Sequence, residues 1–256
     1  NAMLHVDAPA VFLLEAQEAG PNYDPNTYAG FVPAEWSPGV YDAIAVATAD
    51  GYVVVEAAGN GWEDLDDPIY GGAFDREQAD SGAIIVGAGT PPAADGTGRQ
   101  REYFSTYGSR VDVHGWGSYV VTTGYGDLFS GGGDVNQYYT AQFAGTSSTS
   151  PVVASAVALL LSILKARGYD HPCATNQDCD ADLTCDTTTY AAPRCISAKT
   201  MDAWGVRQLL VETGSPQLGD TSEHIGPLPN LTDAISALSV CGDGLVEGTE
   251  VGDDGN

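Results

Sequence analysis

The sequence has few basic residues and lacks long apolar runs. Only nine Lys and Arg accompany 35 Asp and Glu, so the net charge is −26. A chain this acidic is repelled by a phosphate backbone, which excludes nucleic-acid binding as a function class. No stretch approaches the roughly 18 consecutive apolar residues of a membrane-spanning helix, so we expect no membrane span.

Cysteine is scarce, and four of the five cysteines fall in one polar segment, residues 171–197. They are Cys173, Cys179, Cys185 and Cys195. Zinc binding is one alternative, but the five, five and nine intervening residues differ from the two-residue spacing common in zinc sites. We predict two disulfides, with the pairing left open, and hence a secreted or cell-surface protein, because disulfides persist in oxidising compartments. Cys241 has no predicted partner.

The remaining composition is that of a globular protein long enough for a full domain. Hydrophobic residues make up 43% of the 256 residues, and 32 glycines indicate many tight loops. Apolar runs at 10–15, 52–55 and 82–87 predict strands that are buried on both faces. Between the first two runs, Ser37 and Pro38 predict the N-cap and first residue of a helix. This order predicts an α/β fold with right-handed crossovers in a parallel sheet.

The second half of the chain continues the alternation. Residues 110–113 and 118–122 predict short strands around a Gly-Trp-Gly turn, and 124–137 predicts a glycine-rich loop. Residues from about 147 to 166 are apolar nearly all round in a helical pattern, which predicts a central helix enclosed by the protein. Two further helices are predicted, at about 201–212 and 231–238.

Two residues stand where an acyl-transfer reaction would need them. Ser147 opens the apolar helix, where the helix dipole and free backbone N–H groups stabilise a forming oxyanion; its alternative role is a helix N-cap. Asn60 follows a buried strand, at the edge where parallel sheets bind ligands. Its alternative role is that of a turn residue. We predict Ser147 as a nucleophile and Asn60 as an oxyanion donor.

Four motifs in the same order resemble those of the subtilisin-like serine proteases. They are Gly145-Thr146-Ser147 with Pro151; Val53 to Asn60; Phe104 to Gly108 with Val111 to Val113; and Ile225-Gly226 with Pro229 to Leu231. The resemblance spans roughly residues 10–170 and 198–240. It implies a three-layer, doubly wound parallel sheet of seven strands with helices on both faces. It also implies peptide-bond hydrolysis in which Ser147 attacks, a histidine takes its proton and an aspartate orients the histidine.

The resemblance further implies which residues lie against a substrate. Those beside the nucleophile and at the end of the oxyanion strand are Gly145, Thr146, Ala57, Ala58 and Gly59. Glu15, at the end of the first strand, is a candidate for a pocket that favours basic side chains, or else a salt-bridged or solvated strand end. Thr149 stands where the family usually has alanine, and it could crowd the start of the helix.

We interpret the sequence as lacking both the family's aspartate motif, Asp-Ser/Thr-Gly, and its histidine motif, His-Gly-Thr. None of the four histidines lies in a matching context; they are His5, His114, His171 and His224. We expect a peptidase domain over 1–240 that is truncated at its N-terminus and carries residues 171–197 as a small disulfide-rich insertion. Because a serine hydroxyl without a base is a weak nucleophile, this chain alone is expected to be inactive. The alternative is a non-catalytic surface-binding or structural module that retains the fold.

Metal binding is left open by the acidic composition. An acidic loop follows Asn60, with Glu63, Asp64, Asp66 and Asp67. Calcium takes roughly six to eight oxygen ligands, usually from distant segments, so both calcium binding and a solvated loop are kept as interpretations. No metal ligands are assigned.

The expected partners are a peptide or protein substrate and a second copy of the chain. A strand at residues 10–16 that presents an unpaired edge would favour a homodimer. The tail, residues 241–256, resembles a cysteine-rich repeat of bacterial surface proteins, notably of myxobacteria. It is expected to be the start of such a repeat.

Overall fold

A computed structural model describes residues 3, 5–93, 97–166, 173–179, 183–187, 193–197 and 202–238. Its strands and helices, in chain order, are β1 (Val11–Leu14), β2 (Gln17–Ala19), β3 (Phe31–Pro33), α1 (Pro38–Ala49), β4 (Val53–Ala57), β5 (Ile84–Gly89), β6 (Val113–Trp116), β7 (Val120–Thr123), β8 (Tyr139–Phe143), α2 (Thr146–Ala166), β9 (Leu183–Asp186), β10 (Arg194–Ser197), α3 (Ala203–Thr213) and α4 (Leu231–Leu238).

The main sheet contains four parallel strands in the order β1-β4-β5-β6. Every residue of β4 and β5 is buried, which explains why both strands are apolar in the sequence except at Glu56 of β4. The predicted α/β fold with a parallel sheet is therefore confirmed. The resemblance implied seven strands, whereas the described residues contribute four to this sheet.

Helices cover both faces of the sheet, which gives the three layers. On one face, strand residues such as Val55 and Val86 pack with residues of α2, α3 and α4 in one apolar cluster. On the other face, Val54 packs with Ile44 and Ala47 of α1. Each fully buried aliphatic side chain contributes roughly 1.5–3 kcal/mol, so this two-sided burial is the main source of stability.

Helix α2 is only partly enclosed, contrary to the prediction. Val153, Val157 and Leu160 are buried toward the sheet, whereas Leu159 is 55% exposed and Val152 is 39% exposed. An apolar sequence all round a helix thus did not mean burial all round. By length and hydropathy alone, Thr146–Lys165 could cross a membrane, but half of that stretch is buried against the rest of the protein.

Three local predictions need correction. The strand predicted at 110–113 begins at Val113, because the preceding residues turn so that Arg110 enters a buried ion-pair cluster. The strand predicted at 118–122 pairs with β8, which the sequence analysis missed, and the glycine-rich stretch connects the two. Ser37 makes no side-chain hydrogen bond as the cap of α1, so Pro38 alone marks that helix start.

The cysteine-rich segment contains the antiparallel hairpin of β9 and β10. Cys173 and Cys185 form a disulfide, and Cys179 is also disulfide-bonded. Zinc binding through these three sulfurs is therefore excluded, and the prediction of a disulfide is confirmed. The side chain of Cys195, together with His171, Cys241 and the tail 241–256, lies outside the described residues.

Candidate active site

The carboxyl edge of the main sheet brings together the segments that carry Glu15, Asn60 and Ser147. Glu15 directly follows β1, Asn60 lies three residues after β4, and α2 begins at Thr146. The Ser147 hydroxyl donates to the backbone oxygen of Glu15 at 3.2 Å, and the Thr146 N–H donates to Asn60 Oδ1 at 2.8 Å. Residues distant in sequence therefore meet at one point, as expected for the edge where parallel sheets bind ligands.

The side-chain amide of Asn60 is held in one orientation. Its Oδ1 accepts from both the N–H and the hydroxyl of Thr146, at 2.8 and 3.0 Å. The Asn60 N–H donates to Gln17 Oε1 at 2.8 Å, which ties the loop to β2. Within the described part of the chain Asn60 Nδ2 donates no hydrogen bond, so this N–H₂ group is free to bind an external oxygen.

A glycine leaves open the space beside this amide. Gly145 has φ +123°, and a Cβ placed there would lie 3.4 Å from Asn60 Nδ2. An L-residue at this φ is strained, and its Cβ would occupy the space next to the amide. Gly59, with φ +98°, allows the other chain segment to approach the backbone of Phe31 closely. Gly59 thus allows close packing against Phe31, and Gly145 leaves the space next to the Asn60 amide empty.

Ser147 lies inside the first turn of α2 and is not its N-cap, since the helix begins at Thr146. The capping alternative is therefore wrong. In this turn backbone N–H groups have no partner within the helix, and the positive end of the helix dipole is close. The Ser147 N–H and Asn60 Nδ2 are two hydrogen-bond donors that lie close to Gly145, since their nitrogens are 3.7 and 3.4 Å from where a Cβ of that residue would stand.

Thr149 is accommodated without crowding the helix start. It is fully buried, and its hydroxyl donates to the backbone oxygen of Thr146 at 2.8 Å. The neighbouring strand residue is Gly115, where a Cβ would come within 3.0 Å of the Thr149 side chain. The larger residue at 149 is therefore compatible with the fold because position 115 carries no side chain.

No histidine or carboxylate side chain in the described part of the chain bonds to the Ser147 hydroxyl. His114 is fully buried in β6, where its Nδ1 bonds the backbone oxygen of Gly226 at 2.7 Å. Burial lowers the pKa of His114 to about 4, so its ring is neutral at physiological pH. Burial also lowers the pKa of His224. The His114 ring therefore lies in the core, whereas His224 is an exposed residue of the loop before Ile225, and neither bonds to Ser147.

The interpretation that the sequence lacks the family's aspartate motif was wrong. Asp80-Ser81-Gly82 has the residues of the family's aspartate motif, although it follows Asn60 in the chain instead of preceding it. The segment lies just before β5, at the amino edge of the sheet, opposite to Ser147. Asp80 forms an ion pair with Arg207 at 2.8 Å. It is a structural residue and is not placed to orient a base near Ser147.

The acidic loop after Asn60 uses its carboxylates as hydrogen-bond acceptors. Glu63 accepts from Asn22 and Tyr70, Asp66 accepts from the Ser109 N–H, and Asp67 accepts from the N–H of residue 69. Across the described ranges, the three cysteines above are the one group with ligand atoms close enough for a metal ion. Calcium binding stays an untested prediction.

Comparison with known proteins gives the family. The family model Peptidase_S8, described as the subtilase family, matches residues 26–221, which is well over half of the chain. The chain belongs to the subtilase family. No curated protein sequence matches it.

Solved subtilase structures share the fold at low sequence identity. A lanthipeptide protease has a TM-score of 0.53 and 15% identity, and the match covers 90% of this chain and 61% of that one. A cold-adapted subtilisin-like serine proteinase has a TM-score of 0.52 and 17% identity, and the match covers 89% of this chain and 56% of that one. The patellamide maturation protease PatA has a TM-score of 0.51 and 18% identity, and the match covers 90% of this chain and 63% of that one. This subtilase therefore spans between 56% and 63% of the length of those three chains.

Proposed function

We propose that this subtilase is a serine endopeptidase in which Ser147 is the nucleophile and Asn60 stabilises the oxyanion. Two hydrogen bonds support the proposal. The N–H and the hydroxyl of Thr146, the residue before Ser147, both donate to Asn60 Oδ1, and Asn60 Nδ2 stays free within the described residues. As Ser147 attacks a peptide carbonyl, negative charge develops on the carbonyl oxygen. A single amide donor at that oxygen contributes roughly 3–4 kcal/mol to transition-state stabilisation.

We further propose that this chain alone hydrolyses peptides slowly or not at all. A serine hydroxyl is a weak nucleophile unless a base removes its proton. In the described residues the Ser147 hydroxyl donates to a backbone oxygen of Glu15, which is not basic. On this proposal the chain supplies the nucleophile and the oxyanion donors, and the described residues supply no general base.

Glu15 gives the proposed site a preference for basic side chains. Its backbone oxygen bonds to Ser147, and its side chain is exposed. A substrate that lies beside Ser147 must therefore pass this carboxylate. The net charge of −26 adds a long-range attraction for cationic polypeptides. The segments around Ala57 to Gly59 and Gly145 to Thr146 are proposed to contact the substrate backbone.

A second candidate is a non-catalytic binding or structural module. It is favoured by the same hydrogen bond from Ser147 to Glu15, because the hydroxyl faces no base in the described residues. For either function we propose an extracellular location, supported by the disulfides. We also propose a homodimer through the free edge of β1.

Labelling by a fluorophosphonate probe, with and without imidazole as an external base, separates the two candidates. If the protein is the proposed endopeptidase, we expect slow labelling without imidazole and about tenfold faster labelling with it, because imidazole then supplies the base. Ser147→Ala should abolish the labelling, and Asn60→Ala should slow it strongly. Ser155→Ala, an exposed serine on the same helix, is the matched control.

Each outcome of this experiment has a distinct meaning. Fast labelling without imidazole that depends on Ser147 would refute the proposal that a base is missing. No labelling even at high imidazole would refute the endopeptidase and favour the module. Equal labelling of Asn60→Ala and the unmodified chain would refute the oxyanion role of Asn60.

A further inference from the structure

One short segment of the chain touches both halves of the candidate site. It is residues 15–17, which lead from β1 into β2. The backbone oxygen of Glu15 accepts from the Ser147 hydroxyl at 3.2 Å, and Gln17 Oε1 accepts from the Asn60 N–H at 2.8 Å. The positions of the proposed nucleophile and of the proposed oxyanion donor are therefore linked through this segment.

The bond to Gln17 is the contact that holds the backbone of Asn60. In the described part of the chain the Asn60 N–H has no other hydrogen-bond acceptor. The next residue is held by different groups: the Gly61 N–H donates to the Thr106 hydroxyl at 3.3 Å, and the Gly61 oxygen accepts from the Gly30 N–H at 3.0 Å. Removal of the Gln17 amide would therefore release the Asn60 N–H and leave the neighbouring contacts in place.

Gln17 is itself anchored in the hairpin of β2 and β3. It lies opposite Pro33 in this antiparallel pair, and it is half-buried, whereas the next two residues of β2 are exposed. A backbone N–H needs an acceptor, so the Gln17 amide must present its oxygen and not its nitrogen to Asn60. The contact thus has one fixed direction and starts from a hydrogen-bonded pair of strands.

We propose that Gln17 is a positioning residue for the oxyanion donor, because its side-chain oxygen fixes the backbone of Asn60. The proposal rests on the proposed function, which supplies the oxyanion. Asn60 is then held at both ends, at its N–H by Gln17 and at its Oδ1 by Thr146. Without Gln17 the backbone of Asn60 can rotate while Oδ1 stays bonded. The oxyanion is then stabilised less, since this stabilisation depends on donors that are already in place.

Fluorophosphonate labelling of the full chain with imidazole tests this role. Gln17→Met removes the acceptor and keeps a side chain of similar length. We expect its maximal labelling rate to fall about tenfold and its half-saturating probe concentration to stay within about twofold, because the contact acts on the transition state. Gln17→Glu keeps an acceptor oxygen and should label faster than Gln17→Met. Gln208→Met, which removes an amide that bonds Glu212 at the surface of α3, is the matched control and should keep the full rate.

A double-mutant cycle separates positioning of Asn60 from a general loosening of the site. A residue that acts through the Asn60 side chain has no further effect once that side chain is removed. Gln17→Met combined with Asn60→Ala should therefore label at the rate of Asn60→Ala alone. A further loss in the double variant would show that Gln17 acts elsewhere, such as on Ser147 through Glu15, and would overturn the proposal.

Hydrogen exchange of the Asn60 backbone amide, followed by NMR, tests the contact without requiring reactivity. Gln17→Met should speed this exchange about tenfold, because a hydrogen-bonded amide exchanges only when its bond opens. Gln17→Glu should leave the exchange slow. The Ala58 N–H, which donates to the backbone oxygen of Val86 at 3.0 Å, is the internal reference and should exchange at the same rate in every variant.

The two measurements can fail separately. If the unmodified chain does not label with imidazole, the endopeptidase is refuted and with it the catalytic purpose of the contact, while exchange still decides whether Gln17 holds Asn60. Unchanged exchange in Gln17→Met would show that the side chain does not hold this loop. Unchanged labelling of Gln17→Met, in a chain that does label, would show that Gln17 does not position the amide. Either result overturns the assignment.

Discussion

The backbone N–H of Glu35 donates to Glu56 Oε1 at 2.8 Å inside the core, so two glutamates meet where water is excluded. Glu56 is fully buried in β4, and its second carboxyl oxygen has no hydrogen-bond partner in the described part of the chain. Glu35 pairs with the fully buried Arg110 at 3.0 Å. Of the two glutamates, Arg110 therefore bonds Glu35 but not Glu56.

Glu56→Gln is expected to stabilise the protein at alkaline pH. Burial and the nearby Glu35 raise the pKa of Glu56 from 4.5 to about 8. Between these values the folded state holds a proton that the unfolded state has lost, so stability falls as pH rises from about 5 to 8. The variant lacks this dependence, and its advantage in urea unfolding should grow over that range and then level off. A constant difference between pH 5 and 9 would contradict the raised pKa.

Arg110→Met is expected to destabilise the fold strongly. Arg110 is completely buried and pairs with Glu35 at 3.0 Å and Asp112 at 2.9 Å. Its removal leaves the buried Glu35 carboxylate without its cation, which typically costs about 3–5 kcal/mol, whereas Asp112 still pairs with Arg76. Urea unfolding at pH 7 measures the loss. Arg99→Met is the control, because the Arg99 side chain makes an exposed hydrogen bond to a backbone oxygen, and it should change stability by less than about 1 kcal/mol.

The sequence predicted β1, β4 and β5 of the main sheet because these strands coincide with apolar runs, whereas β6 was predicted three residues too early. The buried ion pairs were missed, since Glu35, Asp80, Arg110 and Arg207 are far apart in the sequence and no local pattern joins them. Glu56 did carry a signal: a lone charge within a valine run in a buried strand requires a partner. Strand β8 was missed because it follows a glycine-rich stretch and belongs to a separate two-stranded sheet with β7.

The meeting of Asn60 with the Ser147 segment was predictable, because a helix start and a strand end can be located from sequence and both belong to the same sheet edge. The cavity of about 770 Å³ that Tyr103 and Tyr119 line could not be predicted from the sequence. It depends on how the loop at 90–104 and the residues after β6 face each other. Such a distance between two irregular segments has no periodic signature in the sequence.

Gly145→Ala is expected to impair the site more than the fold. The substitution places a methyl group 3.4 Å from Asn60 Nδ2 at φ +123°, a strained conformation that costs about 1–3 kcal/mol. Imidazole-assisted fluorophosphonate labelling should fall at least tenfold, because the methyl group fills the space beside the amide and the strained backbone shifts the segment that carries Ser147. Gly39→Ala is the control: its Cβ meets nothing within 4 Å in helix α1, so the variant should keep full labelling and gain about 0.5–1 kcal/mol.

The free edge of β1 leads to the final prediction, which is reversible self-association. β1 pairs with β4 on one side and, in the described part of the chain, with no strand on the other. The strand Val11–Leu14 has no charge, proline or bulge that would protect an edge, and Leu13 is 38% exposed. Light scattering should show a mass that rises with protein concentration toward that of a dimer. Leu13→Lys should shift the equilibrium to the monomer by at least tenfold, since it places a charge on the edge. Val46→Lys, at an apolar position on α1 that is 56% exposed, should leave the equilibrium unchanged. A concentration-independent monomer, or an equal effect of both lysine variants, would show that the β1 edge does not mediate association.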